Sequence, residues 1–535
     1  MARSWRLATV AAVALALPVA AAAEVPLPRL SPKADAVPAA SIAPRGETFE
    51  AMAVPATIEA AIEAEVSTDV WLAVARYYAM RDYAPVWTEA RAATLRARLA
   101  EAAYDGLDPE AYAVADYGDG IAERAREDVA LTEAALRYAR HAHSGRIAPT
   151  DVSRIMTMDP PKLRELRFLV RLGRAEDVVK TLESVHPQHA QYQRLRAALR
   201  KTLDSSVPQP PAVGDGPALK VGSSGPRVAI LRARVGATVR RGADPEVFDQ
   251  DLAVAVATWQ RANGLGADGI VGPNTLRVLD GASEAEQAEA LISNMERWRW
   301  MPRWLGNHHV FVNVPAYRVE VVDGGEATYT GRVVVGTPSN PTPIFSDEIE
   351  HIVVNPYWNV PYSIAKNEML GGIRSNPAGY MAKRNYEVVF NGRVVNPATV
   401  NWNEATLRRV RIRERPGRGN ALGAVKFLFP NQHAVYLHDT PSKHLFSRDR
   451  RAYSHGCVRV ENPFEFAAAL LSREPNLSGP GIERMVGGGE KWLNTQEHIP
   501  VHLAYFTREV TAAGNVVRLD DVYGFDSRTQ RKLGL

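Results

Sequence analysis

Apolar positions along this chain change their period once, from helical to alternating. Over residues 56–205 they recur at helical spacing: Leu95, Leu99 and Ala102 fall on one face, as do Leu131, Ala135, Tyr138 and Ala142. Gly106 suits a C-terminal cap, and Asp108-Pro109 reads as an N-cap followed by a first-turn proline. A further helical stretch covers 162–203, broken near His186-Pro187. Residues 205–216, with Pro208, Pro210, Pro211 and Gly214, read as a linker, and a compact unit follows at 217–281. Beyond Met295 the period becomes two. Val310, Val312 and Val314, then Tyr317, Val319 and Val321, a turn at Asp323-Gly324-Gly325, and residues 332–336 predict strands and a hairpin. Residues 352–354, 435–437 and 501–507 add strands. The expected fold class is multidomain α+β: a helical scaffold at 56–205, the small unit at 217–281 and a mainly β domain at 290–535. No repeat of 20–50 residues is evident, and Gly487-Gly488-Gly489 lacks the spacing of a phosphate loop.

The N-terminus reads differently. Arg3 and Arg6 precede an apolar run at 7–20, followed by Ala21-Ala22-Ala23-Glu24, which predicts a secretory signal peptide cleaved after Ala23. The run is shorter than the ~20 residues that span a bilayer, although an uncleaved anchor is the alternative. Residues 24–55 are rich in Pro and Ala without an apolar period and read as a flexible tether. No later segment is apolar enough to span, so the mature chain is expected to have no membrane span. The 535 residues suggest two to four domains, and 46% hydrophobic content is ample for real cores. A net charge of +4, with both signs interspersed, argues against a nucleic-acid partner.

Cys457 is the chain's one cysteine, so no intrachain disulfide forms. An isolated cysteine is commonly a small buried apolar residue. Here it lies in Ser454-His455-Gly456-Cys457-Val458-Arg459, nineteen positions after His438. A free thiol, with a pKa of about 8.5, needs a base or a cationic neighbour to act as a nucleophile. His438 on a strand is the expected base, and it would later protonate the leaving amine. His455 competes, because on an extended segment it projects to the face of Cys457. Gly456 permits close backbone approach to a developing oxyanion, with the Cys457 N–H as a donor. Tyr436 shares the face of His438 and either adds its phenol or packs as an aromatic. Arg459 either holds a substrate carboxylate or pairs with Glu461 or Asp439. His433, His438, His444, His455 and Cys457 cluster in sequence, but their spacing fits no common zinc framework. No metal and no cofactor is expected.

Tyr436-Leu437-His438-Asp439-Thr440, followed at its spacing by Ser454-His455-Gly456-Cys457-Val458-Arg459, resembles the signature of L,D-transpeptidases with the YkuD-type β fold. Asn294-Met295-Glu296-Arg297-Trp298-Arg299-Trp300, Asn355-Pro356-Tyr357-Trp358-Asn359-Val360-Pro361, and Asn420-Ala421-Leu422-Gly423 before Lys426-Phe427 strengthen the likeness. Residues 217–281, through Trp259-Gln260, Gly264-Leu265 and Asp268-Gly269-Ile270-Val271-Gly272, resemble a three-helix peptidoglycan-binding domain. The domain order is similar to that of the large periplasmic, YcbB-like branch.

The resemblance implies a periplasmic, wall-associated enzyme acting on peptidoglycan, with other wall-synthesis enzymes as possible partners. Cys457 would attack the carbonyl before the terminal D-alanine of a tetrapeptide stem. The thioester would then pass to a diaminopimelate amine of a neighbouring stem, giving a 3-3 cross-link. Water as acceptor would instead give an L,D-carboxypeptidase or endopeptidase, and a non-catalytic wall-binding scaffold is a third reading. The resemblance also implies carbapenem acylation of Cys457, a structural role for His455, and orientation of His438 by the Asp439 carbonyl. It makes 363–423 a substrate-capping insertion, whose arginines at 408–413 either attract carboxylates or line a solvated face. Arg459 and Ser454 are the expected substrate-side residues, and Trp358 and Tyr357 either line the cleft or pack as core aromatics.

Overall fold

A computed structural model describes residues 55–535 apart from 68, 119, 206–210, 215, 263–265 and 281–282. The expected signal peptide, and all but the last residue of the expected tether, lie outside the described residues. The protein is multidomain α+β. In the helical region the long helix Ile121–Ser144 is central: Val129, Leu131, Ala135, Leu136, Tyr138, Ala139 and Ala142 are all fully buried. Its alanines let Pro55–Glu65, Glu89–Ala100 and Glu165–Arg174 approach closely. Gly106 ends the short helix Ala102–Asp105 at φ 67°, and Asp108 caps the next turn by accepting from the Glu110 N–H. The stretch at 162–203 breaks twice. Asp177 starts a short helix, Val178–Glu183, before the interruption at His186-Pro187 and the helix Ala190–Leu203.

The small unit is built of helices Pro226–Arg234, Gln250–Ala262 and Pro273–Leu279 around Val228, Leu231, Phe248, Leu252 and Val256. Buried Gln260 explains two of its sequence blocks. Its amide donates to Asp268 Oδ1 at 3.0 Å and the Ile270 carbonyl at 2.9 Å, and its Oε1 accepts from the Gly269 N–H at 2.9 Å. The unit also reaches back into the expected linker: Val213 is buried, and its N–H donates to Asp280 at 2.8 Å.

The core of the β domain is a nine-stranded sheet that closes on itself. Its strands are β1 His308–Asn313, β2 Arg318–Asp323, β3 Glu326–Gly336 and β4 Phe345–Val354. A separate four-stranded sheet follows, of β5 Trp358–Asn359, β6 Tyr386–Phe390, β7 Arg393–Val395 and β8 Arg411–Glu414. The main sheet resumes with β9 Val425–Leu428, β10 Leu437–His438, β11 Ala452–Ser454, β12 Val458–Val460 and β13 Lys491–Ala504. The order β11-β3-β12-β10-β9-β4-β13-β1-β2 has an added β2–β3 pairing, because long β3 serves β2 with its first half and β12 with its second. Alternation fills the interior with Val310, Val312, Val319, Val321, Val333, Val335, Ile352, Val354, Phe427, Leu437 and Val458.

Several boundaries differ from the sequence reading. The strand expected at 435–437 is only Leu437–His438, and the lobe holding the separate four-stranded sheet begins at Trp358, before the insertion expected at 363–423. A hairpin of β14 Arg508–Val510 and β15 Val516–Arg518, and a helix Phe525–Leu533, follow the last predicted strand. The scaffold is not separable either. Val152 and Met156 lie in the β core, and the Thr157 N–H donates to the Ile344 carbonyl at 3.0 Å. Tyr192, Leu195 and Leu199 share a cluster with Leu291, Met295 and Trp298 of the helix Glu284–Trp300 and with Phe506.

Buried imidazoles give this fold an acid sensitivity. Burial holds His438 down to about 3, His502 down to about 4 and His186 well below the ordinary value. Each stays neutral when folded and takes a proton when unfolded, so its contribution is complete above about pH 6.5 and is lost as pH falls from there toward the folded values. The urea midpoint is expected to drop between pH 7 and 5.5 by the equivalent of about 1 kcal/mol per histidine. A midpoint unchanged over that range would contradict these burials.

Candidate active site

Four side chains of two parallel strands make the floor of the site. β10 pairs with β12 in the register Leu437↔Val458 and His438↔Arg459. Leu437 and Val458 are fully buried in the interior, so their flanking residues Tyr436 and His438, Cys457 and Arg459 project together on the opposite face. His438 and Cys457 are then diagonal neighbours, with backbones ~8 Å apart. The Tyr436 and His438 rings lie edge to face at 5.6 Å.

His438 is held from behind. Its Nδ1–H donates to the Asp439 carbonyl at 2.5 Å, which fixes the tautomer and leaves Nε2 with its lone pair. The Asp439 carboxylate is itself anchored, accepting from the Ala424 N–H at 2.8 Å and pairing with Lys443 Nζ at 2.7 Å. Gly423 sits over it at φ 62°, where a Cβ would fall 2.2 Å from Asp439 Oδ2. That contact accounts for the glycine of the Asn420-Ala421-Leu422-Gly423 string. Asn420 pins the root of the lobe that begins at Trp358, its amide donating to the Pro356 carbonyl at 3.1 Å and the Arg415 carbonyl at 3.0 Å.

Cys457 ends a clamped turn. The buried Ser454 hydroxyl accepts from the Gly456 N–H at 3.1 Å and donates to the Cys457 carbonyl at 2.5 Å. The Gly456 carbonyl accepts from Thr342 Oγ1 at 2.8 Å, and Tyr523 Oη accepts from the Thr342 N–H at 3.1 Å. Ser454, expected on the substrate side, therefore spends its hydroxyl inside the turn. Gly456, at φ 118°, occupies backbone space that side chains disfavour, and this bend takes His455 off the face of Cys457. His455 is half exposed and bonds Glu368 Oε1 of the same lobe at 2.8 Å.

Electrostatics leave both reactive groups neutral at rest. Burial pushes the Cys457 thiol up to about 11, partly offset by the Tyr436 N–H facing it and by Arg459. Burial, then the Arg459 charge, holds His438 down to about 3. No hydrogen bond joins the two among the described residues. Such a pair reacts by moving the proton from sulfur to imidazole as the bond to carbon forms, without a stored thiolate. Arg459 is half-buried and its Nε lacks a partner. The two acids expected for it are taken: Glu461 by Arg332 at 2.5 Å, and Asp439 by Lys443. The guanidinium faces the thiol with no carboxylate among the described residues in ion-pair reach.

The two aromatics offered for the cleft each have a close packing partner. Trp358 belongs to β5 of the lobe, 6.3 Å from the Tyr386 ring, and Tyr357 lies under Arg413 at 4.1 Å. The lobe's arginines are similarly occupied, Arg408 over Tyr362, Arg409 over Phe390, and Arg413 paired with Glu387. Of the clustered histidines, His433 bonds Thr157 Oγ1 at 2.8 Å and so faces the scaffold segment. Among the described residues, the group of acids and imidazoles close enough to share an ion is Asp105, Glu183 and His186, where Arg98 and Arg196 already pair with the carboxylates.

Sequence reasoning missed two neighbours of His438. Lys426 faces it across β9–β10, and Trp492 follows in the same outward row through Val353. A lysine inside the apolar run Val425-Lys426-Phe427-Leu428 was the available signal.

Residues 307–477 match the family model described as an L,D-transpeptidase catalytic domain, residues 72–199 a "Scaffold domain", and residues 234–279 a "Putative peptidoglycan binding domain". A curated relative from Haemophilus influenzae, named "Putative L,D-transpeptidase", is 34% identical over 247 residues, which cover 46% of this chain and 50% of that protein. The chain thus spans about half the length of the curated relative it matches. Similar solved structures include an L,D-transpeptidase from Xylanimonas cellulosilytica, 15% identical, covering 56% of this chain and 100% of that one, with a TM-score of 0.15. Another, from Stackebrandtia nassauensis, is 14% identical, covering 53% of this chain and 94% of that one, with a TM-score of 0.16.

Proposed function

We propose that this chain, whose residues 307–477 match an L,D-transpeptidase catalytic domain and residues 234–279 a putative peptidoglycan binding domain, forms 3-3 cross-links in peptidoglycan through a thioester on Cys457. Cys457 Sγ attacks the carbonyl joining the third residue of a tetrapeptide stem to its terminal D-alanine. His438 Nε2 takes the thiol proton and returns it to the departing D-alanine amine. The Cys457 N–H and the Tyr436 phenol receive the negative charge on the carbonyl oxygen. Arg459 takes the terminal carboxylate. A diaminopimelate side-chain amine of a second stem then attacks the thioester, releasing the thiol and leaving an amide.

The observation that carries this reading is the shared face of Cys457, His438 and Arg459, with a cation whose expected protein partners are already engaged. The wall-binding unit raises the effective concentration of polymeric substrate. The working site is the periplasmic wall, reached through the leader predicted at 1–23. Neutral resting groups fit a nucleophile that must survive an oxidising compartment, since a thiol is less readily oxidised than a thiolate.

The test is product analysis on purified protein with a disaccharide-tetrapeptide. Dimers short of one D-alanine are the expected product by mass spectrometry. Tripeptide monomers alone would make the enzyme a hydrolase, and turnover undiminished in Cys457→Ala would overturn the nucleophile assignment. A carbapenem should leave one adduct by intact mass on the native protein and none on Cys457→Ala.

A further inference from the structure

We propose that Lys426 is a second carboxylate-reading cation of this site, selecting donor stems whose third residue carries an acid on its side chain. This rests on the donor chemistry proposed above. The register places Arg459, His438 and Lys426 side by side on β12, β10 and β9, all facing outward. Adjacent strands are about 4.8 Å apart, so the two cations flank the imidazole from opposite sides at a backbone separation of ~10 Å.

The ammonium is unusually placed for a lysine. Lys426 is 7% exposed, and burial holds its pKa below the ordinary value. Its Nζ lies 5.8 Å from the Tyr436 ring centre and 5.4 Å from that of Trp492, so two aromatic faces stand in for part of its lost water. No carboxylate among the described residues lies in ion-pair reach. Glu490 acts on it from beyond ion-pair distance and accepts from the Tyr357 N–H at 2.8 Å. A buried charge lacking a close counter-ion is costly unless a ligand supplies one. Trp492 is 55% exposed, so this side of the site opens to solvent.

A peptide whose scissile bond lies at Cys457 and His438 presents its terminal carboxylate one residue beyond that bond. Arg459, on the strand of Cys457, takes that group. The cation on the far side of His438 then requires a second acid, and the side chain of the residue that forms the thioester is the one that can reach it. Diaminopimelate carries such a carboxylate, and lysine in that position does not. Lys426 is thus a specificity-determining residue that leaves the bond-making steps to Cys457 and His438.

Binding, measured calorimetrically on the full chain carrying Cys457→Ala, tests this without turnover. The probes are a tetrapeptide stem with a free side-chain acid at residue three, the same stem amidated there, and the same stem amidated at its terminus. Amidation at residue three should weaken binding about tenfold when Lys426 is present, and leave it unchanged in Lys426→Met. Lys426→Arg should restore most of the preference, which guards against a misfolded methionine variant. Terminal amidation should weaken binding in every variant. The proposal is overturned if Lys426→Met keeps the residue-three preference, or if it removes the terminal one instead. Should the native protein turn over no stem while the binding contrast holds, the reaction is wrong and the cation's role stands.

Discussion

Replacing His438 by alanine is expected to lower kcat/KM by roughly 10²–10⁴-fold, and replacing Cys457 by alanine to lower it by at least as much, with the double variant no worse than Cys457→Ala alone. In the proposed reaction both residues serve one proton-coupled attack, so removing the base from an enzyme without a nucleophile costs nothing further. The pH profile is the discriminating measurement. Neutral thiol and neutral imidazole are the competent forms, and their folded values of about 11 and about 3 place the limbs of the profile far apart. The expected kcat/KM is flat from about pH 5 to pH 9, after correction for unfolding. A thiolate–imidazolium pair would instead titrate its two groups closer to neutrality. A limb between pH 5 and 9 that disappears in His438→Gln would show that the resting pair is ionised, contrary to the burial of both groups.

Residues near one another in sequence, or joined by one strand pairing, were legible. Tyr436 and His438 share a face by simple alternation, and Cys457 and Arg459 follow from the same rule once β10 and β12 are parallel neighbours. Lys426 and Trp492 were not legible as site residues. Their place depends on the registers β10–β9–β4–β13, which join segments up to 139 positions apart through Val353 and Trp492. His455 was misplaced by the same alternation that placed the others, because the left-handed backbone of Gly456 interrupts the extended run between His455 and Cys457.

Composition also concealed structure. The helix Phe525–Leu533 buries only Phe525, Thr529 and Leu533 on an otherwise polar segment, so its one apolar edge is too thin to read. It is held largely by Arg297, which pairs with Asp526 at 2.6 Å. In sequence the string Asn294 to Trp300 speaks by likeness alone, and the structure gives its polar members work. Asn294 Oδ1 accepts from the Thr507 N–H at 2.8 Å and the Arg508 N–H at 3.2 Å, where β13 hands over to the final hairpin. Apolar periodicity cannot reveal a helix whose buried face is largely charged and amide.

That charged face is where the second large effect is expected. Glu296→Gln should destabilise the chain by about 3–5 kcal/mol, because it leaves a buried guanidinium without its counter-charge. Glu296 and Arg299 are both fully buried and pair at 3.0 Å. Glu296 Oε1 also accepts from the backbone N–H groups of Arg146 and Ile147, the latter at 3.0 Å. Those amides belong to the segment that leaves the scaffold's central helix and enters the β core. At Gly145, φ 91°, a Cβ would come within 2.7 Å of the same carboxylate oxygen, so the chain can pass only as glycine. Arg299 in turn donates to the Asp105 carbonyl, and Asp105 anchors Arg98 and Arg196 in the scaffold. One carboxylate therefore links the scaffold to the catalytic domain on both sides. Denaturant unfolding followed by tryptophan fluorescence should show a lower midpoint for Glu296→Gln, together with a scaffold transition that separates from that of the β domain. Arg299→Met added to Glu296→Gln should recover part of the loss, since the orphaned charge is then gone. A Glu296→Gln midpoint within error of the native one would mean that the two lobes are held by their shared apolar cluster around Tyr192, Leu195 and Met295 instead.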